Sequence, residues 1–501
     1  MKNQIGREGG NHPFSGAKAN IHTYQAPVQK NLKPERIFSL EELLDRLSMH
    51  DGMTFGFHHH LRNGDFVLNR IMQEVHRRGW KDLTIAASSL FPCHEPLVAM
   101  MEDETITSIV TSYVSGPVAK AISQGKLKNP AQITTHGGRP RSILEGEFQL
   151  DIAFIAAPAV GEDGAISGSE GPSACGSMGY AVVDAQMADI VVAITDHPVK
   201  QVRKPDIAAG YVNYILVVDS IGDPKGIVSG TTQVTKDPIG LKIARDTAQL
   251  MEAAGILKDG FSFQTGAGGI SLAVADEVRK KMRRNAIQGS FGCGGITGYF
   301  VDMLEEGLFE DLYDVQCFDL KAIESSEHND HHHKISADQY ANPDNPDHVA
   351  GKLDCVILGA SEIDLAYNVN VTTGSDGLIL GGSGGHADTA TGAKLSIITT
   401  KLFNARISAI VDEVRTVTTP GEVIDAVVTE YGIAINPKRA DLLEKASRDP
   451  RLHLVTIEEL YAIATRMTGI PKKRPQGDGI VAYSIFRDGT ILDTLYTMSK
   501  N

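Results

Sequence analysis

The sequence predicts an α/β protein built of two tandem units with mixed, mostly parallel sheets. Three observations carry that prediction. Short apolar runs recur between Asp82 and Ile221, and several are apolar on both faces, as strands of a sheet covered on both sides are. Helical or glycine-rich stretches separate those runs. After a turn-rich segment, SIGDPKGIVSGTTQV (Ser220 to Val234), the same alternation begins again.

In chain order, residues 1–35 are polar and rich in Gly, Asn and Lys, and read as a mobile arm or a strap onto a partner. SLEELLDRL, from Ser39, opens with a helix N-cap and a glutamate three residues later, the spacing of a capping box. FVLNRIMQEVHRRG places apolar residues at helical spacing and ends on Gly79. DLTIAASS, SIVTSYV, AQITTH, DIAFIAAPAV, ADIVVAIT and YILVVDSI are the strands of a first unit, residues 36–225. A second unit, residues 226–501, offers FSFQT, AIQGSFG, DVQCFD, DCVILGA, YNVNVT, LSIITT, ISAIVDEV and LHLVT. The last segment, IVAYSIFRDGTILDTLYTM, reads as a hairpin around Asp488 and Gly489.

A chain of 501 residues supports two or three cores. Its formal net charge of -14 argues against a polyanionic partner such as nucleic acid, and says little about small anionic substrates. The five cysteines form no CxxC pair, which suits a reducing compartment. No apolar run approaches the ~20 residues of a membrane span, and the N-terminus lacks a signal-peptide core. A cytoplasmic enzyme, away from the membrane, is expected.

HHH (His58 to His60) and HNDHHH (His328 to His333) suggest a metal at first sight. Adjacent histidines point apart on strand or helix, so consecutive spacing suits chelation poorly. The solvated-loop reading is preferred, and no metal is expected. No GxGxxG or P-loop context is present, and Ser167 and Ser169 lie in a loop, not at a strand-to-helix elbow. Three glycine segments remain: QTGAGG (Gln264 to Gly269), GCGG (Gly292 to Gly295) and GGSGG (Gly381 to Gly385). Each follows a candidate strand, where backbone N–H groups can bind anions and glycine allows close approach. THGGRPRS adds His136, Arg139 and Arg141, whose guanidinium forks match carboxylates.

ASEIDLAYNVNVTTG, LILGGSGGHADTA and VVTEYGIAI, in this order and with QTGAGG upstream, resemble the acyl-CoA transferases. DGMTFGFHHHLRNG and DIAFIAAPAVGEDGAISG are looser matches in the first half. THGGRPRS and SGSEGPSACGSMGYAV are similar to one branch of that family, the citrate lyase alpha chains. The resemblance spans roughly residues 35–500. It implies two tandem CoA-transferase-like (NagB/RpiA/CoA-transferase-like) domains. It implies transfer of a carrier-protein thioester from acetate to citrate, with no cofactor bound covalently to this chain. A CoA-like prosthetic group would come from a partner acyl carrier protein (gamma), and a citryl-carrier lyase (beta) would complete an oligomeric complex.

Carried onto this sequence, the resemblance implies an oxyanion donor at Gly384 and an orienting carboxylate at Glu430. Gly266, Ala267, Gly268, Gly382, Ser383 and Gly385 would flank the thioester and its arm. Many transferases of this fold use a glutamate nucleophile, and by order its segment falls on SFGCGGITGYFVDMLEEG. The helix is retained, and Cys293, Gly294 and Gly295 stand where the glutamate would be. That departure favours direct attack by the citrate carboxylate in a ternary complex over a covalent intermediate. A nucleophilic Cys293 at a helix start is the minority alternative. His136, Arg139 and Arg141 are the expected citrate-binding cations. An acetate-type CoA transferase acting on free CoA thioesters, and a non-catalytic ligand-binding or scaffold subunit, are the competing functions.

Overall fold

Local signals set the helix ends. In the computed structural model, Ser39 caps the helix Leu40–Arg46, its hydroxyl accepting from the Glu42 amide. The Glu42 carboxylate turns to Arg46 at 2.7 Å instead of closing the expected box. The helix Val67–Arg78 stops at Gly79, whose φ of 85° is the left-handed conformation glycine adopts freely. The structure describes residues 24, 26–228, 233–404, 407–470 and 475–498.

Every strand expected in the first unit is present. The first sheet runs Glu35–Ile37, Tyr214–Val217, Ile190–Thr195, Ile152–Ala156, Thr54–Phe57, Leu83–Ala87, Ile106–Thr111, Ala131–Ile133, Gln476–Ile485, Ile491–Met498. All neighbours are parallel except the last pair. The second sheet runs His332–Lys334, Phe309–Cys317, Gly289–Ile296, Ser262–Thr265, Cys355–Leu358, Leu395–Thr399, Ala426–Thr429, Gly432–Ile435, Leu454–Val455. Within it, Ala426–Thr429 and Gly432–Ile435 form the antiparallel pair. The strand Ile152–Ala156 is buried at every position, which explains its unbroken apolar sequence.

Two expectations about the chain's ends change. The C-terminal hairpin forms, but in the first sheet: Ala482 pairs with Ala131 and Ser484 with Ile133. It covers what would otherwise be an open parallel edge at Ala131–Ile133, so the second unit does not extend to residue 501. Residues 1–23 of the expected arm lie outside the described residues. The rest of the arm is strapped onto its own chain: Tyr24 donates to Asp338 at 2.9 Å, and Lys30 to the Ala188 carbonyl at 2.7 Å. Among the described residues no helix is long and apolar enough to cross a membrane.

The two sheets meet through the ends of their strands. Thr135 bridges Gly384, Gln316 Nε2 reaches the His60 carbonyl at 3.4 Å, and Ser177 Oγ donates to the Asp314 carbonyl at 2.7 Å. In α/β sheets such a junction of strand ends is the usual place for a ligand.

Candidate active site

Glycine is required here at only a few positions, and for different reasons. In QTGAGG the Gly266 amide donates to the Ile357 carbonyl at 3.0 Å and so extends the sheet. Ala267 is half-buried and Gly268 exposed. A Cβ added at Gly268 would meet nothing within 4 Å. Gly268 opens onto a cavity of about 590 Å³, lined also by Ser271, Gly359, Thr400 and Lys401.

GCGG is not the loop expected from sequence: Gly289–Ile296 is one continuous strand. Its pairing with Phe309–Cys317 slips between Gly294 and Gly295, and Gly294 takes φ 101°. A Cβ at Gly294 would fall 2.7 Å from the Gln264 amide carbon, and one at Gly295 would fall 2.1 Å from the Phe318 ring. Cys293 is buried and donates to Gln264 Oε1 at 3.2 Å, while Gln264 Nε2 donates to the Tyr340 hydroxyl at 2.9 Å. Burial pushes the Cys293 thiol well above its ordinary range. A thiol kept protonated in this way is a poor nucleophile. The space beside Gly294 is therefore taken by the Gln264 amide.

In GGSGG, Gly384 (φ 51°) inserts between two strand ends of the first sheet. Its carbonyl accepts from the His136 amide at 2.8 Å, and its own amide donates to the Ser112 carbonyl at 3.0 Å. The expected oxyanion donor is thus already engaged. Among the described residues, the neighbouring amides of Gly382, Ser383 and Gly385 donate to no protein acceptor. Asp388 fastens this loop to the first unit, accepting from Thr135 Oγ1 at 2.8 Å and the Gly137 amide at 2.9 Å. Burial pushes its carboxyl up to about 6, against the pull of Arg487.

The expected citrate-binding cations divide. THGGRPRS is not a solvated turn: Gly138–Leu144 is a buried helix. Arg139 makes a two-pronged pair with Asp184 at 2.6 and 2.8 Å. Arg141 is taken by Glu145, by Glu147 and by the Arg487 carbonyl. Both arginines are structural, because a guanidinium already neutralised by carboxylates cannot hold a substrate without breaking those pairs. Removing one partner of a buried pair costs about 3–5 kcal/mol.

His136 lies beside the glycine loop, where a Cβ added at Gly384 would fall 3.3 Å from its Nε2. Its ring is tilted by 44° against Tyr180, with 4.4 Å between centroids, and its Nδ1 is buried with no partner. Burial, with Arg139 nearby, pushes it down to about 3, so it is neutral at physiological pH.

The first histidine run is buried, whereas in the second only His332 is, His328 and His331 being exposed as a solvated loop would have them. His59 hydrogen-bonds Ser88 Oγ at 2.7 Å and packs against Tyr180, with 4.6 Å between centroids. His332 hydrogen-bonds Asp314 Oδ2 at 3.1 Å, and Cys317 donates to the same oxygen at 2.8 Å. These three groups, Asp314, Cys317 and His332, lie within 4.8 Å of one another. Their contacts are hydrogen-bond contacts, and the Cys317 thiol is held protonated by burial and by Asp314.

Glu430 stands apart from these groups. Its carboxylate accepts from the Leu402 amide at 2.9 Å, holding the turn that carries Thr400 and Lys401 into the cavity wall.

Sequence reasoning missed Arg62, His59, Tyr180, Gln264 and Tyr340. Gln264 was within sight, as the first residue of QTGAGG. Nothing in local spacing separates Arg62 from the paired arginines.

Residues 35–498 match the family model described as citrate lyase, alpha subunit (CitF). The chain is 45% identical to the citrate lyase alpha chain of Haemophilus influenzae, over 91% of this chain and 92% of the relative. It is 43% identical to that of Klebsiella pneumoniae, over 96% and 95%. A Streptococcus mutans chain assigned as the alpha subunit of citrate lyase, solved in complex with citrate, superposes with a TM-score of 0.95. That match has 41% identity and covers 99% of this chain and 100% of the other. On sequence and architecture together, the chain belongs to the citrate lyase alpha subunit family.

Proposed function

We propose that the chain exchanges acetate for citrate on a carrier-borne thioester without forming a bond to the protein. As a citrate lyase alpha chain it is the citrate:acetyl-carrier transferase component of that complex. The finer reading concerns how the exchange is made. A citrate carboxylate oxygen attacks the acetyl thioester carbonyl, and the C–S bond breaks. This gives a citryl–acetyl anhydride and a carrier thiolate. The thiolate then attacks the citryl carbonyl, and acetate leaves with the bridging oxygen.

One observation carries this reading: where a related transferase would place its glutamate, Gly294 has no side chain and the Gln264 amide fills the adjoining space. The neighbouring Cys293 is buried and protonated. With no protein nucleophile, proximity does the work, and holding both substrates in one site replaces a bimolecular encounter. Each attack develops an oxyanion, which preorganised amides stabilise. The unengaged amides of Gly382, Ser383 and Gly385 are the candidate donors in place of Gly384.

The CoA-like arm of the carrier supplies the thiol that holds the acyl group. The cavity beside Gly268 suits it: Gly268 and Gly359 both leave open space where a Cβ would stand. Glu430 acts as a positioning residue for the Lys401 side of that cavity. The partners are a carrier and a citryl-carrier lyase, and the setting is cytoplasmic.

The test uses the purified chain with acetyl-carrier and citrate, without the lyase partner. Acetate is released only when citrate is present, and Cys293→Ala retains most of that activity. Acetate release from acetyl-carrier alone, or an acyl adduct on Cys293 in mass spectra of quenched enzyme, overturns the reading.

A further inference from the structure

Among the described residues at the junction of the two sheets, Arg62 is a cation that its own chain leaves without a counter-charge. It follows the buried His58–His60 run and takes φ 55°, a conformation a non-glycine residue keeps only where its surroundings impose it. Those surroundings are firm. Cys93 Sγ donates to the Arg62 carbonyl at 3.4 Å, and His94 hydrogen-bonds Asp65 at 3.0 Å just beyond. Gly64 packs directly on Asp223 and Gly226, where any side chain would clash.

The guanidinium is clamped between two rings, one from each unit: Phe91 at 5.3 Å and Phe318 at 5.1 Å. Both are within range of cation–π attraction. Its Nη1 is buried with no partner. Burial lowers its proton affinity, opposed by the phenols Tyr113 and Tyr180. Arginine nevertheless stays protonated in such a setting. Arg139 and Arg141 show the contrast, since each is matched by carboxylates. A partly buried cation kept rigid and unpaired costs stability. Its hydrogen-bonding fork, unlike a lysine ammonium, matches a carboxylate in two places.

The position fits the substrate rather than the carrier arm. Arg62 shares Phe318 with Gly295, next to the residue that stands where related enzymes carry a glutamate. Thr297 Oγ1, two residues on, and His136 Nδ1 are also buried without partners. The arm cavity is lined by Ile270, Ser271 and Lys401, and neither Arg62 nor Phe318 is part of its wall.

We propose that Arg62 is the citrate anchor: its guanidinium holds a carboxylate of citrate that does not react, so that another carboxylate is presented to the thioester. This rests on the transferase reading.

Two measurements test it. In the first, Arg62→Gln and Arg62→Lys are assayed for acetate release with citrate and acetyl-carrier varied separately. The expected result is a rise in the citrate KM of roughly tenfold or more for Arg62→Gln, smaller for Arg62→Lys, with the acetyl-carrier KM changed less than about twofold. An unchanged citrate KM, or a rise confined to the acetyl-carrier KM, overturns the proposal; the latter would assign Arg62 to phosphates of the arm. In the second, the wild-type chain is treated with phenylglyoxal and modified arginines are mapped by mass spectrometry, which is independent of whether the variants fold. Citrate protects Arg62 and free CoA does not. Equal modification with and without citrate overturns the proposal. If the wild-type chain itself releases no acetate with citrate, it is the transferase reading that fails, and the protection experiment still decides the citrate anchor.

Discussion

At Gly294 the backbone turns to φ 101°, and the Gln264 amide lies where a side chain would start. Gln264 cannot swing aside freely, because it joins Cys293 on one side and Tyr340 on the other. Gly294→Ala is therefore expected to destabilise the chain by about 1–3 kcal/mol, from backbone strain plus displacement of that amide. Urea denaturation measures it, and an unchanged midpoint would mean that the strand is not held as described. This residue also shows where sequence reading stops. That glycines cluster at Gly292–Gly295 is plain from the sequence. That they lie inside a strand is not, because the reason is pairing with Ser262–Thr265 and Phe309–Cys317, with the Phe318 ring packed against Gly295. The arginines teach the same lesson. Arg139 is disqualified as a ligand by Asp184, 45 residues away, and nothing local announces that partner.

Among the elements, the short turn Arg62–Gly64 matters most, since it aims an unpaired guanidinium into the junction. Asp65 fixes it by accepting from the Val67 amide at 2.7 Å and pairing with His94. Burial works to lower His94, and so does the Phe91 amide, which donates to its Nδ1 at 3.0 Å, but the hydrogen bonds to Asp65 and Cys93 raise it from 6.5 to about 9. The folded pKa lies above the unfolded one, so this stabilisation is complete below about 6.5 and is lost as pH rises through about 9. Asp65 is shifted down, so its share persists above its ordinary value and is lost only in acid. Asp65→Asn should thus cost on the order of 3 kcal/mol at about pH 6, and the deficit should shrink as pH climbs past 9. Denaturation midpoints of both proteins across that range check it; a deficit constant with pH would exclude a charged His94. Strands and helix caps such as Gly79 were legible because their signals are local. His59 was misread because its burial depends on Tyr180 and Ser88, contributed by other elements.

On the scale of the whole molecule, the site exists because the two units interlock. Gly384 of the second joins Ser112 and His136 of the first, and the C-terminal hairpin crosses back to close the first sheet. From that hairpin Arg487 reaches the carbonyls of Ala341 and Asp388, and its own carbonyl accepts from Arg141. Two α/β units in tandem could be read from the alternation of strands and helices; the return of the hairpin could not, since strand order is a property of pairing and not of the runs themselves. The interlock brings a strand whose one cysteine is buried, a glycine loop and an unpaired arginine to one junction, and the proposed direct attack of citrate on the thioester rests on that arrangement. A single turnover with citrate labelled with oxygen-18 in its carboxylates, acetyl-carrier and excess enzyme tests that most directly. Direct attack predicts that each acetate released carries one heavy oxygen taken from citrate. Unlabelled acetate in the first turnover would mean that the oxygen came from the protein or from water, and would contradict direct attack.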